Sequence, residues 1–371
     1  MKTVLHIITS LGSGGAEGVL YRLCKNSSNF KHIVLNLTSY SFYNEKLESN
    51  GVIVHDLEMD KSFLNFYKIY RYIKKYNPDL VQTWMYHSDF LGGIVAKIAG
   101  VKKVYWCIRN SDLIFGKSSF NTIFISRVCA LLSYIVPTRI ISCAHVAKNY
   151  HTSIGYNKKN IVVIPNGLDT RKFNTKFEYI YASEEPIKMG MIARFDPQKD
   201  HITLFRALQV IKNEGYEFKC TLVGNGINSQ NSSLSTLINE FGLADYLELH
   251  SEVDNVETLM KELDLHILSS AYGEGFPNVL SEAMACGVPC IATDVGDSRY
   301  IINKFGIIVR PNDPSELAEA MVSMIKKYQT NINNDWLKLR SDASKYIMGK
   351  YTVERMASNF EASWNGIYEV E

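Results

Sequence analysis

The sequence predicts an α/β protein made of two doubly wound domains that face one another across a cleft. Three observations lead there. The chain has 371 residues, enough for two domains of ordinary size. Short apolar runs alternate with amphipathic stretches, the pattern of a parallel sheet covered by helices. The alternation lapses near the middle of the chain and then restarts. Open sheets of this kind bind ligands beyond the carboxyl ends of their strands, so the space between two of them is the expected site.

In the first half, Lys2 to Thr9, His32 to Thr38, Gly51 to Leu57, Asp79 to Thr83 and Val104 to Ile108 read as strands. Helical patterns at Ala16 to Lys25, Ser62 to Tyr76 and Phe90 to Ala99 lie between them. Residues 166–186 carry turn formers and no period, which predicts a linker between a domain at 1–165 and a domain at 187–350. The second series of strands is Ile187 to Ile192, Phe218 to Val223, Tyr246 to His250, Leu265 to Ser269, Pro289 to Thr293 and Ile307 to Val309. Helices are expected at His201 to Lys212 and Ser232 to Phe241, and a terminal helix at Thr352 to Tyr368 within 351–371.

Composition narrows the function classes. Apolar residues make up 46% and charged residues 21%, which excludes a disordered or collagenous chain. The net charge of +2 gives no reason to invoke nucleic acid, but it is unevenly divided. Residues 1–165 hold 20 Lys and Arg against 9 Asp and Glu, and residues 166–371 hold 20 against 29. The basic half is the one expected to face something anionic. The seven cysteines are scattered without a CxxC pair, which reads as reduced, buried thiols in a cytoplasmic protein, with no zinc and no disulfides. The run Val4 to Ile8 is short, contains His6 and ends in a glycine loop, so it reads as a buried strand and not an export signal. No window reaches the roughly 18 apolar residues of a membrane span. The nearest, Phe120 to Val136, is interrupted by Asn121, Ser126, Arg127 and Ser133.

Three segments carry chemistry. Leu11-Gly12-Ser13-Gly14-Gly15-Ala16-Glu17 follows a strand and opens a helix, where backbone N–H groups can meet a phosphate. A plain tight turn explains the same glycines, and the spacing is not GxGxxG. In Tyr272-Gly273-Glu274-Gly275-Phe276-Pro277-Asn278-Val279, Pro277 suits the first position of a helix that runs to about Cys286, with Gly287 just past its end. The free N–H groups near Phe276 to Val279 make an anion site. Glu274 precedes that helix, and Glu282 lies one turn beyond Asn278 on the same face. Carboxylates beside an anion site suit hydroxyl groups of a sugar or ribose. Taken singly, each glutamate also reads as an ordinary solvated acid. In Ile192-Ala193-Arg194-Phe195-Asp196-Pro197-Gln198-Lys199-Asp200, Arg194 and Lys199 could clamp a diphosphate or form surface ion pairs.

With these motifs in place, the chain resembles a retaining glycosyltransferase of the GT-B fold, in the large family 4. The GT-B fold consists of two Rossmann-like domains. The matching motifs, in family order, are Gly14 to Glu17, Pro165 to Asp169, Arg194 to Lys199, Gly224-Asn225-Gly226, Glu274 with Glu282, and Pro311 to Pro314. The resemblance implies that Gly14 and Gly15 approach the donor diphosphate through backbone groups, and that Arg194 and Lys199 neutralise it. Glu274 would bind hydroxyls of the transferred sugar, and Glu282 the ribose. Gly275, Phe276, Pro277, Asn278 and Val279 would line sugar and phosphate, and Ser251 to Val256, including Val253, would hold the base. The terminal helix would cross back to the N-terminal domain. Many relatives place a histidine where this chain has Arg109, which can hold a phosphate or sugar oxygen but cannot serve as a base at neutral pH. His87 follows the preceding strand and is the other candidate for that role.

The resemblance implies a nucleoside diphosphate sugar as substrate, UDP-sugar favoured, and no resident cofactor. The expected acceptor is a lipid-linked glycan of a bacterial surface polysaccharide or lipopolysaccharide. The sequence has no Asp-x-Asp at a strand end to hold a divalent ion, so transfer is expected to be metal-independent. A nucleotide-sugar epimerase of the same fold, or a non-catalytic partner of another transferase, are the alternatives. The basic aromatic segment Lys61 to Tyr76, with Phe63, Phe66, Tyr67, Tyr70 and Ile73 on one face, suggests peripheral contact with the inner face of a membrane. A helix packed on its sheet with solvated lysines is the competing reading.

Overall fold

The computed structural model describes residues 1–59, 64–111, 113, 119–175, 185–253, 255–330 and 335–368. They form two compact units: residues 1–167 with 353–371, and residues 168–352.

The first unit holds a seven-stranded parallel sheet. Its strands are β1 (Lys2–Ile8), β2 (Phe30–Asn36), β3 (Ile53–Asp56), β4 (Leu80–Trp84), β5 (Val104–Ile108), β6 (Arg139–Ser142) and β7 (Ile161–Val163), in the spatial order β3-β2-β1-β4-β5-β6-β7. Its helices are α1 (Gly15–Asn26), α2 (Asn44–Glu48), α3 (Leu64–Tyr76), α4 (Met85–Ile98), α5 (Phe120–Leu132) and α6 (His145–Ser153). The central strands β1, β4 and β5 are buried along almost their whole length, as a sheet covered on both faces requires.

The second unit holds β8 (Ile187–Ile192), β9 (Phe218–Val223), β10 (Leu247–His250), β11 (Leu265–Leu268), β12 (Cys290–Thr293) and β13 (Gly306–Val309), in the order β10-β9-β8-β11-β12-β13. Its helices are α7 (His201–Asn213), α8 (Ser232–Glu240), α9 (Val256–Glu262), α10 (Asn278–Ala285), α11 (Ser298–Ile302), α12 (Pro314–Thr330) and α13 (Leu337–Lys350). The final helix, α14 (Val353–Asn365), belongs to the first unit and packs there on α1. Its Trp364 is buried, meets Phe30 edge-on at 5.1 Å and donates to Gln82 Oε1.

In each sheet the strand order reverses once, between β1 and β4 and between β8 and β11. These are the switch points at which such sheets form ligand crevices. The loops that leave the four strands bear most of the motifs singled out above.

Three expectations need correction. The predicted linker at 166–186 begins too early: Leu168 and Phe173 are buried, and Leu168 donates its N–H to Tyr351 O at 2.9 Å, so this stretch is packed into the second unit. The rest of that linker, from 176 to 184, lies outside the described residues. The helix expected from Phe90 starts at Met85, because β4 runs straight into α4 through a left-handed Met85 (φ 69). The apolar face of α3 is turned inward: Ile69 and Ile73 are buried, and Phe66 and Tyr70 pack against the core. Only Tyr67 of that aromatic set is exposed, and Phe63 lies outside the described residues. α3 is therefore the packed helix of the competing reading. Among the described residues no helix is long and apolar enough to cross a membrane. All seven cysteines are buried free thiols.

Candidate functional site

The loops after β8 and β11 meet at the switch point of the second unit. Residues 193–200 run from β8 to α7, and this path needs a glycine at 224. Gly224 lies at φ 149, and a Cβ there would overlap the carbonyl group of Ala193. The loop is pinned by Phe195 N–H to Asn225 O at 2.7 Å and by the Ser269 hydroxyl, 2.9 and 3.0 Å from the carbonyl oxygens of Lys199 and Asp200. Asp200 then caps α7, its carboxylate accepting from Thr203 N–H at 3.1 Å.

This geometry puts Lys199 against Glu274. The Lys199 ammonium donates to Glu274 Oε1 at 2.5 Å, and the Ser270 hydroxyl donates to the same oxygen at 2.6 Å. The two charged side chains are only 14% and 9% exposed, so their attraction is little screened by water. The Glu274 loop is braced from two sides. Ala271 N–H donates to Gln198 O at 2.8 Å, and Asp297 N–H donates to Gly275 O at 2.9 Å. Gly296 (φ 61) lies beneath the carbonyls of Glu274 and Gly275 so closely that a Cβ would strike both oxygens at 2.5 Å. Phe276 is buried edge-on against Tyr351 at 5.3 Å.

Pro277 is the N-cap of α10 and not its first residue, so the helix opens at Asn278. Its first-turn N–H groups, at Asn278 and Val279, stand at the positive end of the helix dipole, four and five residues after Glu274. Gly287 terminates the helix region with φ 72, as its position in the sequence predicts. Glu282 is half-buried one turn beyond Asn278. Val253 is exposed in the bend after β10. Arg194 does not join Lys199 in a clamp. Its guanidinium donates to Gln198 Oε1 at 2.7 Å and lies 3.5 Å from Asp196, with the side chain 54% exposed. Sequence reasoning missed Ser270 and Gln198. The serine pair at the end of β11 was the available signal for the first; nothing local marks the second.

The switch point of the first unit is built differently. Gly14 caps α1 in an extended conformation and Gly15 is its first residue. A Cβ at Gly14 would overlap the Glu17 carboxylate, which folds back over the helix start and accepts from Ser10 Oγ at 3.3 Å. A Cβ at Gly15 would meet nothing within 4 Å. Part of the room expected for a phosphate is thus held by a carboxylate of the chain itself. Thr9 and Ser88 hydroxyls meet at 3.1 Å and tie the end of β1 to α4. His87 is exposed on the first turn of α4. Arg109 donates to Asn166 Oδ1 and lies over the Trp84 ring at 5.9 Å, so it joins the end of β5 to the Pro165-Asn166-Gly167 turn. Asp89 is buried, accepts from Thr83 Oγ1 at 2.5 Å, and burial holds its pKa well above the ordinary carboxylate range.

Among the described residues, His6, Cys24 and His32 are the one group with ligand atoms close enough to hold a metal. Their hydrogen bonds argue for another role. The Trp84 indole N–H can only donate, so His6 Nδ1 accepts from it at 3.2 Å. His6 Nε2–H then donates to His32 Nδ1 at 2.9 Å, and His32 Nε2–H to Ser27 O at 3.0 Å. Both imidazole lone pairs are engaged in this chain, and burial lowers the pKa of both rings.

Comparison with known proteins places the chain among glycosyltransferases. Residues 13–172 match the family described as Glycosyltransferase Family 4, and residues 173–346 match Glycosyl transferases group 1. The chain is 25% identical, over 351 residues, to UDP-Gal:alpha-D-GlcNAc-diphosphoundecaprenol alpha-1,3-galactosyltransferase of Escherichia coli, covering 90% of this chain and 86% of that one. It is 24% identical, over 383 residues, to N-acetylgalactosamine-N,N'-diacetylbacillosaminyl-diphospho-undecaprenol 4-alpha-N-acetylgalactosaminyltransferase of Campylobacter jejuni, covering 94% and 100%. Among solved structures, HepE of Anabaena in complex with UDP superposes with a TM-score of 0.83 at 20% identity, over 99% of this chain and 100% of that one.

Proposed function

The chain belongs to the group 1 glycosyltransferases of the GT-B fold, and from that premise we propose a retaining, metal-independent transfer of a hexose or N-acetylhexosamine from a UDP-sugar to a lipid-linked glycan acceptor. The setting would be the assembly of a bacterial surface polysaccharide, with the enzyme cytoplasmic and peripheral on the inner face of the membrane. The named acceptors of the two curated relatives are diphosphoundecaprenol-linked glycans, which supports this choice.

One observation carries the reading: a shielded Lys199–Glu274 pair whose carboxylate lies four residues before the N-terminus of α10. A donor diphosphate would be met by Lys199, by the N–H groups of Asn278 and Val279, and by Arg194 if it leaves Gln198. Glu274 would accept hydrogen bonds from hydroxyls of the transferred sugar, and Glu282 from the ribose. Backbone groups around Val253 would hold the base. In the transfer, the bond between the anomeric carbon and the β-phosphate oxygen breaks, and the acceptor hydroxyl oxygen bonds to that carbon on the same face. The acceptor's proton passes to the departing phosphate. Lys199 and the helix start stabilise the charge that grows on the diphosphate. Arg109 and His87 lie on the other unit, where the acceptor would be bound.

The test is a thermal-shift panel with UDP, GDP, ADP and NAD on wild type and Glu282→Ala. A ligand that binds only the folded state raises stability by RT ln(1 + [L]/Kd). The expected result is a shift with UDP that weakens in the variant. A shift with NAD alone, or with none of the four, would overturn the proposal.

A further inference from the structure

We infer that the outer face of α5 is a docking surface for an anionic lipid bilayer. This deepens the peripheral placement proposed above by naming the surface, and it can fail while the transferase reading stands.

The first observation is an apolar stripe with nothing covering it among the described residues. Phe120, Phe124, Arg127 and Leu131 follow one another at steps of four, three and four residues, so they share one side of the helix. The three apolar members are 72%, 61% and 76% exposed. Ser126, Cys129 and Ala130, on the opposite side, are buried against the unit. Tyr134 and Ile135, just past the helix end, extend the patch with exposures of 62% and 75%. Single exposed apolar residues are ordinary, but five within sixteen residues, three of them on one side of α5 and two just past its end, are not.

The second observation is charge. Residues 90–165 contain ten Lys and Arg and the single acid Asp112, so this segment carries nearly all the positive excess of the first half of the chain. α5 itself has no acidic residue, and Arg127 sits within its stripe. An arginine there can lay its stem on the apolar surface and bring its guanidinium to headgroup level. Beside the end of the stripe, a cavity of about 520 Å³ is lined by Tyr134, Thr152, Asn157, Lys158 and Lys159. The 3-10 turn that carries both lysines is fixed to that end of the patch, since Asn157 N–H donates to Ser133 Oγ at 2.9 Å. Apolar side chains on a helix without acidic residues, with Lys158 and Lys159 at its end, match an anionic leaflet, whose phosphates meet the cations while the rings enter the acyl boundary. A second copy of this chain fits worse, because a two-fold contact would set the same basic surface against itself.

The experiment is vesicle co-sedimentation of the full chain with phosphatidylcholine alone and with 30% phosphatidylglycerol. Wild type should bind the anionic vesicles and lose binding as salt is raised. The double variant Phe124→Ser/Leu131→Ser should bind at least tenfold more weakly, and Lys158→Ala/Lys159→Ala should lose the salt-sensitive part. Its side chains are exposed, so the serine variant should keep the wild-type thermal midpoint and the wild-type UDP shift. A gain-of-signal variant guards against general loss. The four native tryptophans are buried, so Phe124→Trp adds a reporter that brominated lipid should quench. Absence of wild-type binding at low salt, full binding by the serine variant, or an unquenched Trp at 124 would each overturn the inference. So would a wild-type dimer that the serine variant breaks, with no vesicle binding in either. Loss of the UDP shift in wild type would instead strike the transferase reading.

Discussion

The Lys199–Glu274 pair yields the sharpest prediction. Glu274→Gln keeps the size of the side chain and removes its charge. Two hydrogen bonds to a carboxylate, from Lys199 at 2.5 Å and Ser270 at 2.6 Å, become bonds to a neutral amide oxygen. Bonds to charged groups contribute about 1.5–3 kcal/mol and neutral ones about 0.5–1.5; the Ser270 bond becomes neutral and the Lys199 bond keeps its cation but loses its ion-pair part, so the exchange costs about 2 kcal/mol for the two together. That is less than the roughly 3–5 kcal/mol for breaking a fully buried pair, because Lys199 keeps some access to water. For a unit the size of residues 168–352, about 2 kcal/mol lowers the unfolding midpoint by roughly 4–8 °C. Calorimetry should show this drop for the unit that holds the site. Saturating UDP should raise the midpoint of the variant at least as much as that of wild type, since a diphosphate returns negative charge to Lys199. Turnover should fall about a hundredfold or more, the cost of a misplaced reacting group. Lys199→Ala should behave differently and lose both the UDP shift and turnover. An unchanged midpoint in Glu274→Gln would show that the pair contributes nothing. Near-normal turnover would show that the sugar is bound elsewhere.

Two further outcomes follow from backbone strain and from burial. Gly296→Ala places a Cβ at φ 61 and against the carbonyl oxygens of Glu274 and Gly275, so it should cost about 1–3 kcal/mol in a urea midpoint and weaken UDP binding by displacing the loop. Burial, aided by nearby Lys199, lowers the pKa of His201 to about 4, and burial lowers that of His151 to about 4. Both rings are then neutral in the folded chain, while the unfolded chain takes up protons below about pH 6.5. Stability contributed by the neutral rings is full above pH 6.5 and is lost as pH falls towards 4, by about 3 kcal/mol for each. Urea midpoints measured from pH 7 to 4.5 should decline accordingly, and His201→Leu should remove its share of the slope. A slope unchanged by that substitution would mean the ring is hydrated in the folded state.

The two sheets were unequally legible. All six strands of the second unit lie close to their predicted positions, because each is a short apolar run set off by glycine, proline or a helix with a clear period. In the first unit β6, β7, α2, α5 and α6 were not predicted as elements. α5 carries Phe120, Phe124 and Leu131 on its outer stripe and the polar Ser126 on its buried side, so its polar and apolar residues do not sort into two faces from which a period can be read. Asn121, Ser126 and Arg127 interrupt its apolar run too often for it to span a bilayer. α12 had local signals that were not used for a helix: Pro314 at its start and Asp313 accepting from Glu316 N–H at 2.9 Å.

For the site, what could be read was what is local. The glycine loops, the start of α10 and the spacing of Glu274 and Glu282 are all encoded within a few residues. Partner choice is not. Lys199 and Glu274 are 75 residues apart, and only the reversal of strand order between β8 and β11 joins their loops. Arg194 and Lys199, five residues apart, look like one clamp in the sequence and have different partners in the fold. Glu17, within reach of Gly14 by helix geometry, holds room that the glycines alone would leave to a ligand. The pairing has an energetic consequence. In the proposed donor site, a diphosphate that draws the Lys199 ammonium away from Glu274 forfeits the pair, and nucleotide affinity is then reduced by whatever the pair is worth. The released carboxylate then lies shielded from water and without its cation, a state that is costly unless a hydroxyl donor arrives. A nucleotide sugar supplies both the phosphate and the hydroxyls of the transferred sugar, whereas UDP supplies only the first of these. The sugar should therefore add more to affinity here than its own contacts would suggest, and Glu274→Gln should erase that excess by leaving no charge to release.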